Sequence, residues 1–456
     1  MFFGSSRQWR PGRGVYRAMN QLPPGPSSGL FSMLGMMRDP YGAIARCASK
    51  FGDPFTISAF MQGPIVVTGD PAAIRSIFAA DPDIYGSSGA RVMGPILGPG
   101  SVLILEGTAH RRARKLLNPP FHGDRMRAHA RLMRDVTRER TAHLVPGVRF
   151  AVQGIAETIS LDVILQAIFG IRGTERMARF DRAVRDVMGS LGPFVAFEFL
   201  RRSFGGIGPW AKFQRRRREL QALVDEEIAE RRSGGAERED ILSMLLAARH
   251  DDGSAMSDAD VFDQLLTLVA AGHESSMITI AWAFYWLHRN PDVLERLLAE
   301  IDALDGDPEP EALARLPYLE AVVQETLRLY PIVAIATRLL VQPFELKGHQ
   351  LPAGVIVGAS AATVHYREDL YPEPERFQPE RFLGKTFGPA EYFPFGGGAR
   401  RCLGAAFAMY EIKIVLATLL RTIRVRPVDD RPVRPALRAA GIGPGRDVAM
   451  VVTERR

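Results

Sequence analysis

The 456-residue sequence predicts a mainly helical protein in which one long apolar helix runs through the middle of a large domain. From about Asp70 to Pro331 the residue pattern is that of successive helices. The clearest covers residues 257–288, because Ser257 is a favoured N-cap residue and Pro291 follows the end. Short β-type runs lie on both sides of this region, so we expect a smaller β-rich part as well.

The β-type runs are short and are bounded by Gly, Pro or Asp, which favour turns. No internal repeat and no linker separates two folding units, so we expect one domain over 22–456 after a flexible basic extension at 1–21. The remaining expected elements are strands at 55–58, 64–68, 344–346 and 355–357 and helices at 317–330 and 404–421.

The composition is that of a soluble globular protein, with 46% hydrophobic and 24% charged residues. Two cysteines far apart in sequence favour a reducing compartment, and we expect a monomer in the cytoplasm. No apolar stretch is long enough for a membrane span. The net charge of +7 favours an acidic protein partner over nucleic acid, because no nucleic-acid-binding signature accompanies the basic residues.

The most informative segment surrounds one of the two cysteines, Cys402. A cysteine just before a helix has its thiolate favoured by the helix dipole and by free backbone N–H groups. Glycines at 396–398 allow backbone angles that other residues avoid, and Gly404 lets the helix approach a flat ligand. Phe395 can shield the sulfur, and Arg400 can face an acidic group on the ligand. The alternative is a buried, inert cysteine in a glycine-rich turn.

Three further segments carry residues at chemically informative spacings. Glu325 and Arg328 share one helix face, either as a surface ion pair or as a buried one. His110 and Arg114 share another face, where cations suit carboxylates, although a basic surface helix would look the same. The segment 271–276, Ala-Gly-His-Glu-Ser-Ser, interrupts the long apolar helix with a costly glycine and an acid–alcohol pair.

Together these segments resemble the cytochrome P-450 family. Residues 395–404 match its cysteine signature Phe-x-x-Gly-x-Arg/His-x-Cys-x-Gly at every defined position, and Glu325 to Arg328 match its Glu-x-x-Arg motif. The segment 271–276 resembles its oxygen-binding motif, with Ser275 in the place of the usual Thr. The matches follow the family's order, and the resemblance covers nearly all of the chain from Leu22.

The resemblance implies a helical prism with a smaller β-rich part, heme b as the cofactor and Cys402 as the axial ligand of its iron. It implies proton relay through Glu274 and Ser275, and a structural triad in which Arg381 joins Glu325 and Arg328. The expected heme-contacting residues are His110, Arg114, Ala271, Gly272, Arg338, Phe395, Arg400 and Gly404. The expected substrate pocket contains Ile96, Leu97, Thr267, Ala270, Val333, Ala334 and Ile335, and the region 194–199 is a further candidate wall or lid.

The implied reaction is the insertion of one oxygen atom from dioxygen into a hydrophobic small molecule such as a fatty acid, terpenoid or steroid. Because no flavin or ferredoxin module is recognisable, electrons are expected from an external ferredoxin and its reductase, docked near Arg400, Arg401 and Lys413. The alternatives are a peroxide-dependent hydroxylase, a heme-thiolate isomerase or dehydratase, and a non-catalytic heme protein. The intact Glu274–Ser275 pair favours the monooxygenase over the first two.

Overall fold

The structure is a computed structural model that describes residues 22–26, 29–59, 63–121, 125–171, 174–192, 194–195, 197–203, 205–234, 238–438 and 441–456. The expected basic extension at 1–21 lies outside the described residues. The helices in chain order are α1 (Gly29–Arg38), α2 (Pro40–Phe51), α3 (Pro71–Ala79), α4 (Ala90–Leu97), α5 (Gly107–Leu117), α6 (Arg125–Thr141), α7 (Val152–Phe169), α8 (Thr174–Gly189), α9 (Pro209–Arg232), α10 (Ile241–Ala247), α11 (Asp258–Arg289), α12 (Pro291–Asp302), α13 (Pro310–Ala314), α14 (Pro317–Leu329), α15 (Ala361–Val364) and α16 (Ala405–Thr422). The strands are β1 (Phe55–Ala59), β2 (Gly63–Thr68), β3 (Tyr85–Gly86), β4 (Arg149–Ala151), β5 (Ile335–Leu340), β6 (Phe344–Leu346), β7 (His349–Leu351), β8 (Ile356–Ser360), β9 (Ile423–Pro427), β10 (Pro435–Leu437), β11 (Ile442–Pro444) and β12 (Ala449–Arg455).

These elements form two compact units, each assembled from segments that are distant in sequence. The first, called the sheet unit, contains the described residues up to Ser88 together with Val333–Glu375 and Phe387–Arg401. The second, called the helical unit, contains Gly89–Ile332, Arg376–Thr386 and Cys402–Arg456.

The sheet unit is built on a five-stranded sheet with the order β1-β2-β8-β5-β3. Strands β2 and β8 are parallel, and their register places Val66 opposite Val357, while the other neighbours are antiparallel. Both valines are fully buried, together with Ile77 from α3 and Leu340 from β5. The apolar residues of β2 and β8 therefore bury this sheet in a core of aliphatic side chains.

The helical unit is organised around α11, which packs against α7, α14 and α16. Its C-terminal half is apolar on nearly every side, and Ile280, Trp282 and Phe284 are fully buried. This pattern is typical of a helix that crosses the interior of a large domain. Strands β4, β12 and β9 form a separate three-stranded sheet in this unit, so the C-terminal strands do not join the main sheet.

The helix boundaries follow the local signals in the sequence. The Ser257 side chain accepts a hydrogen bond from the backbone N–H of Asp260 (3.1 Å) at the start of α11, and Pro291 begins the next helix. Helix α14 starts at Pro317 and ends at Leu329, as expected. Among the described residues, α7 has the length and hydropathy of a possible membrane span, and 72% of it is buried inside the protein. The prediction of a mainly helical protein is confirmed.

Candidate active site

Cys402 lies two residues before the N-cap of α16, in the helical unit, and its side chain is exposed. The N-cap residue is Gly404, and a Cβ added there would meet no other atom within 4 Å. The backbone at the start of α16 is therefore open to a flat group, and the helix N-terminus favours a thiolate at Cys402. Both features fit the axial ligand of a heme.

The three glycines before the cysteine are each required by the geometry of the sheet unit. Gly396 and Gly398 have φ angles of 66° and 64°, in the left-handed region that favours glycine. Gly397 has a different constraint, since a Cβ there would lie 2.3 Å from the ring of Phe78 on α3. The loop therefore packs directly on α3. Phe395, at the start of this loop, is half-buried.

Arg338 on β5 brings a buried positive charge to the same loop. It is only 8% exposed, and its guanidinium donates to the carbonyl oxygens of Gly397 and Thr337, each at 2.8 Å. Burial, together with repulsion from Arg400, lowers the pKa of Arg338 to about 10. Among the described residues no carboxylate pairs with Arg338, so its charge would be compensated by an anionic group such as a heme propionate.

His110 and Arg114 lie one turn apart on α5, in the helical unit. His110 is buried and Arg114 is half-buried. The neighbouring cations behave differently, because Arg112 and Lys115 are exposed and form ion pairs with the acidic residues at 251–252. The exposed face of α5 therefore forms ion pairs with surface carboxylates. Its more buried face carries the two predicted propionate contacts, His110 and Arg114.

Between its two exposed ends, α11 has one partly exposed segment, at residues 271–275. Ala271 is exposed and Gly272, Glu274 and Ser275 are half-buried, whereas residues 261–267 and 276–284 are buried. The Ser275 hydroxyl donates to the carbonyl oxygen of Ala271 (2.9 Å). A helix segment of small residues that also carries a carboxylate and a hydroxyl group fits a position beside a heme.

Helix packing explains why glycine occupies position 272, which the sequence alone did not explain. A Cβ at Gly272 would lie 3.1 Å from the Cδ1 atom of Ile164 on α7. The glycine thus allows α7 and α11 to approach closely, which compensates for its cost within a helix. Within residues 271–275 of α11, the exposed side is formed by Ala271.

Glu325, Arg328 and Arg381 come together in the helical unit, where the first two are fully buried. The Arg328 guanidinium donates to both Glu325 carboxylate oxygens (2.6 and 2.8 Å), and Arg381 Nε lies 3.4 Å from the same carboxylate. Glu325 also accepts the backbone N–H of Gln378 (2.9 Å). Burial raises the pKa of Glu325, and the hydrogen bond from Arg328 opposes this effect. The cluster connects α14 to the segment 376–382. Its contacts are those of residues that stabilise the fold.

The predicted pocket residues differ in their surroundings. In the helical unit, Ile96 and Leu97 are buried on α4, which packs against α11. Thr267 is also buried, and its hydroxyl contacts Ser101 Oγ (2.7 Å) and the Asp263 carbonyl oxygen (2.6 Å), so it anchors a loop. The other candidates are Ala270, half-buried on α11, and in the sheet unit exposed Val333, buried Ala334 and half-buried Ile335.

Sequence reasoning missed a buried carboxyl group that contacts α11 next to the segment 271–275. Glu411 on α16 accepts a hydrogen bond from Ser276 on α11 (2.6 Å from Oγ to Oε2). Its second oxygen and the Ser160 hydroxyl on α7 are buried without hydrogen-bond partners among the described residues. Burial raises the pKa of Glu411 to about 7, and the hydrogen bond from Ser276 opposes this effect. The available signal was a single acidic residue in the apolar sequence of α16.

A second missed group holds the loop 98–102 against α11. The Asp263 carboxylate accepts the backbone N–H of Gly100 (3.0 Å) and the guanidinium of Arg217 on α9 (2.7 Å). The side-chain carbonyl of Gln264 accepts the backbone N–H of Val102 (3.0 Å). No sequence motif identifies these contacts, because the partners are far apart along the chain.

Comparison with known proteins agrees with this geometry. The family model described as Cytochrome P450 matches residues 20–446. The putative cytochrome P450 135B1 of Mycobacterium tuberculosis is 36% identical, covering 95% of this chain and 92% of the relative. The putative cytochrome P450 138 of the same species is 34% identical, covering 96% and 97% respectively.

Solved structures show the same fold. The retinoic acid-bound cyanobacterial CYP120A1 superimposes with a TM-score of 0.80 at 25% identity, over 92% of this chain and 95% of that one. The cytochrome P450DA heme domain superimposes with a TM-score of 0.82 at 22% identity, over 95% and 98% respectively.

Three features are those of a heme-thiolate protein: an exposed cysteine before a helix, a buried arginine with no acidic partner among the described residues, and an acid–alcohol pair on a central helix. This chain belongs to the cytochrome P450 family. Its cofactor is therefore heme b, and it is an oxidoreductase of the monooxygenase type. The expected fold class and cofactor are confirmed.

Proposed function

We propose that this protein inserts one oxygen atom from dioxygen into a C–H or C=C bond of a hydrophobic small molecule. The observation that carries this proposal is the partly exposed segment 271–275 on α11, where Glu274 and Ser275 lie close to the small residues Ala271 and Gly272. A heme protein that only carried or sensed a ligand would not require an acid–alcohol pair at this position. We further propose that the protein acts as a monomer in the cytoplasm.

Cys402 would hold the heme iron through its thiolate, whose negative charge the N-terminus of α16 would stabilise. In the helical unit, His110 and Arg114 of α5 would hold heme propionates. In the sheet unit, Arg338 and Arg400 are the corresponding candidates. When bound, the heme with its thiolate ligand would supply the chemistry of O–O bond cleavage.

Ser275 Oγ and the Glu274 carboxylate would hold and move protons during the reaction. In the structure the Ser275 hydroxyl donates to the carbonyl oxygen of Ala271, so it is held close to the helix and must turn away to donate elsewhere. Serine lacks the methyl group with which threonine restricts its rotamer. The proton position at Ser275 is therefore less sharply defined than it would be with threonine.

The substrate we propose is an elongated apolar molecule. Support comes from the aliphatic character of Ile96, Leu97, Val333 and Ile335, and from a structural relative that was solved with retinoic acid bound. We do not expect Thr267 to contact the substrate directly, because its hydroxyl already contacts Ser101 and the Asp263 carbonyl oxygen.

The proposed electron donor is an acidic ferredoxin supplied by its reductase. Arg400 and Arg401 remain candidates for its contact surface. Lys413 does not, because it is buried and its amino group lies 3.2 Å from the Glu320 carboxylate. Arg401→Gln should slow reduction at low ionic strength and have little effect at high ionic strength, since screening removes long-range attraction. Equal rates for variant and wild type at low ionic strength would exclude Arg401 from this surface.

The first test is the absorption spectrum of the reduced protein under carbon monoxide. The wild type and the control Cys47→Ala should show the strongly red-shifted Soret band of a thiolate ligand. Cys402→Ala should lose this band while its far-UV circular dichroism stays unchanged. A wild-type Soret band at the position of histidine-ligated hemes, or a normal thiolate band in Cys402→Ala, would refute the assignment of the ligand.

A second test concerns turnover. With a hydrophobic substrate identified by its spin-state shift, Glu274→Gln should slow product formation while substrate affinity changes little, because the carboxylate acts on protons and not on substrate binding. Product formation at the wild-type rate in Glu274→Gln would contradict the proton-relay role.

A further inference from the structure

The segment 393–401, called the ligand loop, leads directly into Cys402 along the chain. Its consecutive glycines at 396–398 have no side chains that could restrict the backbone or anchor it by packing. The conformation of the ligand loop therefore depends on groups of the sheet unit that bind its backbone from outside.

A buried histidine of the sheet unit binds the first residue of the ligand loop. His365 is completely buried, and its Nε2 atom accepts the backbone N–H of Phe393 at 3.1 Å. Phe393 is also buried, so this N–H needs an acceptor within the protein to replace the water that it binds in the unfolded chain. Because a backbone N–H only donates, Nε2 carries no proton, and His365 is the neutral tautomer with its proton on Nδ1.

The imidazole of His365 is itself held in place on two sides. His365 follows α15, which begins at the end of the fully buried strand β8, and its backbone N–H donates to the carbonyl oxygen of Ala361 (3.0 Å). Its ring lies among those of Tyr371, Tyr392 and Phe393, at centroid distances of 6.4, 5.4 and 5.4 Å. The ring would have to displace these neighbours in order to turn, so Nε2 points in a fixed direction.

Phe393 in turn fixes the glycines of the ligand loop. Its carbonyl oxygen accepts the backbone N–H of Gly396 (2.9 Å), and its ring packs edge-on against Phe78 on α3 (5.3 Å between centroids). Phe78 also lies against the next two residues, because Cβ atoms at Gly397 and Gly398 would lie 2.3 Å from its ring and 2.5 Å from its carbonyl oxygen. A displacement of Phe393 would therefore displace the glycine turn and the chain that continues into Cys402.

We propose that His365 is a positioning residue for the heme ligand. By accepting the N–H of Phe393, it fixes the ligand loop and with it the position of the Cys402 thiolate. This inference rests on the assignment of Cys402 under the proposed function. If His365 only filled space among aromatic rings, phenylalanine would replace it well. If its acceptor is what matters, glutamine would replace it better, because a glutamine side-chain oxygen can lie near the position of Nε2.

The test compares variants of His365 in the purified holoprotein, by the reduced spectrum under carbon monoxide and by the reduction potential of the heme. His365→Phe keeps a ring but removes the acceptor, and His365→Asn has an amide too short to reach Phe393. In both, the ratio of heme with the thiolate band to heme without it should fall about tenfold, because a buried N–H is left without an acceptor. The reduction potential of the remaining thiolate-bound heme should also shift, since hydrogen bonding around the ligand tunes it. His365→Gln should keep both values close to those of wild type.

Tyr371→Phe is the matched control. It removes a neighbouring hydrogen bond, from the Tyr371 hydroxyl to the carbonyl oxygen of Glu391 (3.0 Å), and leaves the contact between His365 and Phe393 in place. This control should lower the free energy of unfolding but keep the wild-type band and potential.

Three results would overturn the proposal. The first is a His365→Gln that resembles His365→Phe, whether in its spectrum or in failing to fold. The second is a wild-type band and potential in His365→Phe or His365→Asn, and the third is an equal spectral change in Tyr371→Phe. Absence of the thiolate band in the wild type would refute the assignment of Cys402 and, with it, this inference.

Discussion

Glu411 is a buried carboxyl group whose protonation is coupled to folding. It connects α16, which follows Cys402, with α11, which carries Glu274 and Ser275, through its hydrogen bond from Ser276. Replacing it by glutamine keeps the shape and a hydrogen-bond acceptor but removes the ionisation. Above neutral pH, Glu411→Gln should therefore stabilise the protein relative to wild type.

The magnitude follows from the pKa of Glu411. Burial raises this pKa from 4.5 to about 7, so the folded state binds the proton more tightly than the unfolded state. The contribution of Glu411 to stability is consequently largest at low pH, and it is lost as the pH rises from about 4.5 to about 7. At about 1.4 kcal/mol for each pH unit, the full cost of ionisation is about 3 kcal/mol. Between about pH 5 and about pH 8, wild type should lose about 2–3 kcal/mol relative to the glutamine variant.

The assay is chemical denaturation of the holoprotein at both pH values, for wild type and Glu411→Gln. Glu295→Gln on the surface of α12 serves as the control, because it removes an exposed carboxylate. The difference in the free energy of unfolding between Glu411→Gln and wild type should grow with pH. The difference between the control and wild type should stay constant. A difference for Glu411→Gln that does not change with pH would refute the reasoning, since it would mean that Glu411 titrates alike in both states.

Three other changes have defined outcomes. Arg328→Ala should lower the free energy of unfolding by about 3–5 kcal/mol, because it leaves the buried Glu325 carboxylate without its partner; a loss below about 1 kcal/mol in denaturant titration would contradict this. Gly397→Ala should reduce heme retention on gel filtration, because its Cβ would lie 2.3 Å from the Phe78 ring, whereas Gly154→Ala, with open space around it, should retain heme fully. Ser275→Thr should raise the fraction of consumed electrons recovered as product, because the methyl group restricts the rotamer; an unchanged ratio of product to NAD(P)H would contradict this role.

The sequence by itself determined the elements whose signals are local. The start of α11 depends on Ser257 and Asp260, which are three residues apart and contact each other regardless of the rest of the fold. The pairing of Glu325 with Arg328 has the same origin, because one helical turn brings the two side chains together. The family resemblance, and with it the heme, likewise follows from short segments such as 395–404.

Tertiary structure decided everything that depends on residues brought together from distant parts of the chain. The complete burial of Glu325, and the approach of Arg381 from 56 residues away, are set by packing of the segment 376–382 on α14. Packing also explains Gly272 through Ile164 on α7, and it removes Lys413 from the predicted partner surface.

Glu411 shows the physical reason most clearly. In the sequence it is one acidic residue among apolar ones, with no partner at helical spacing that would mark it. Its raised pKa comes from the loss of water when α7, α11 and α16 pack around it, and its hydrogen bond comes from Ser276, 135 residues away. Local spacing determines which groups can pair within a helix, but solvation and long-range contacts are properties of the packed core alone.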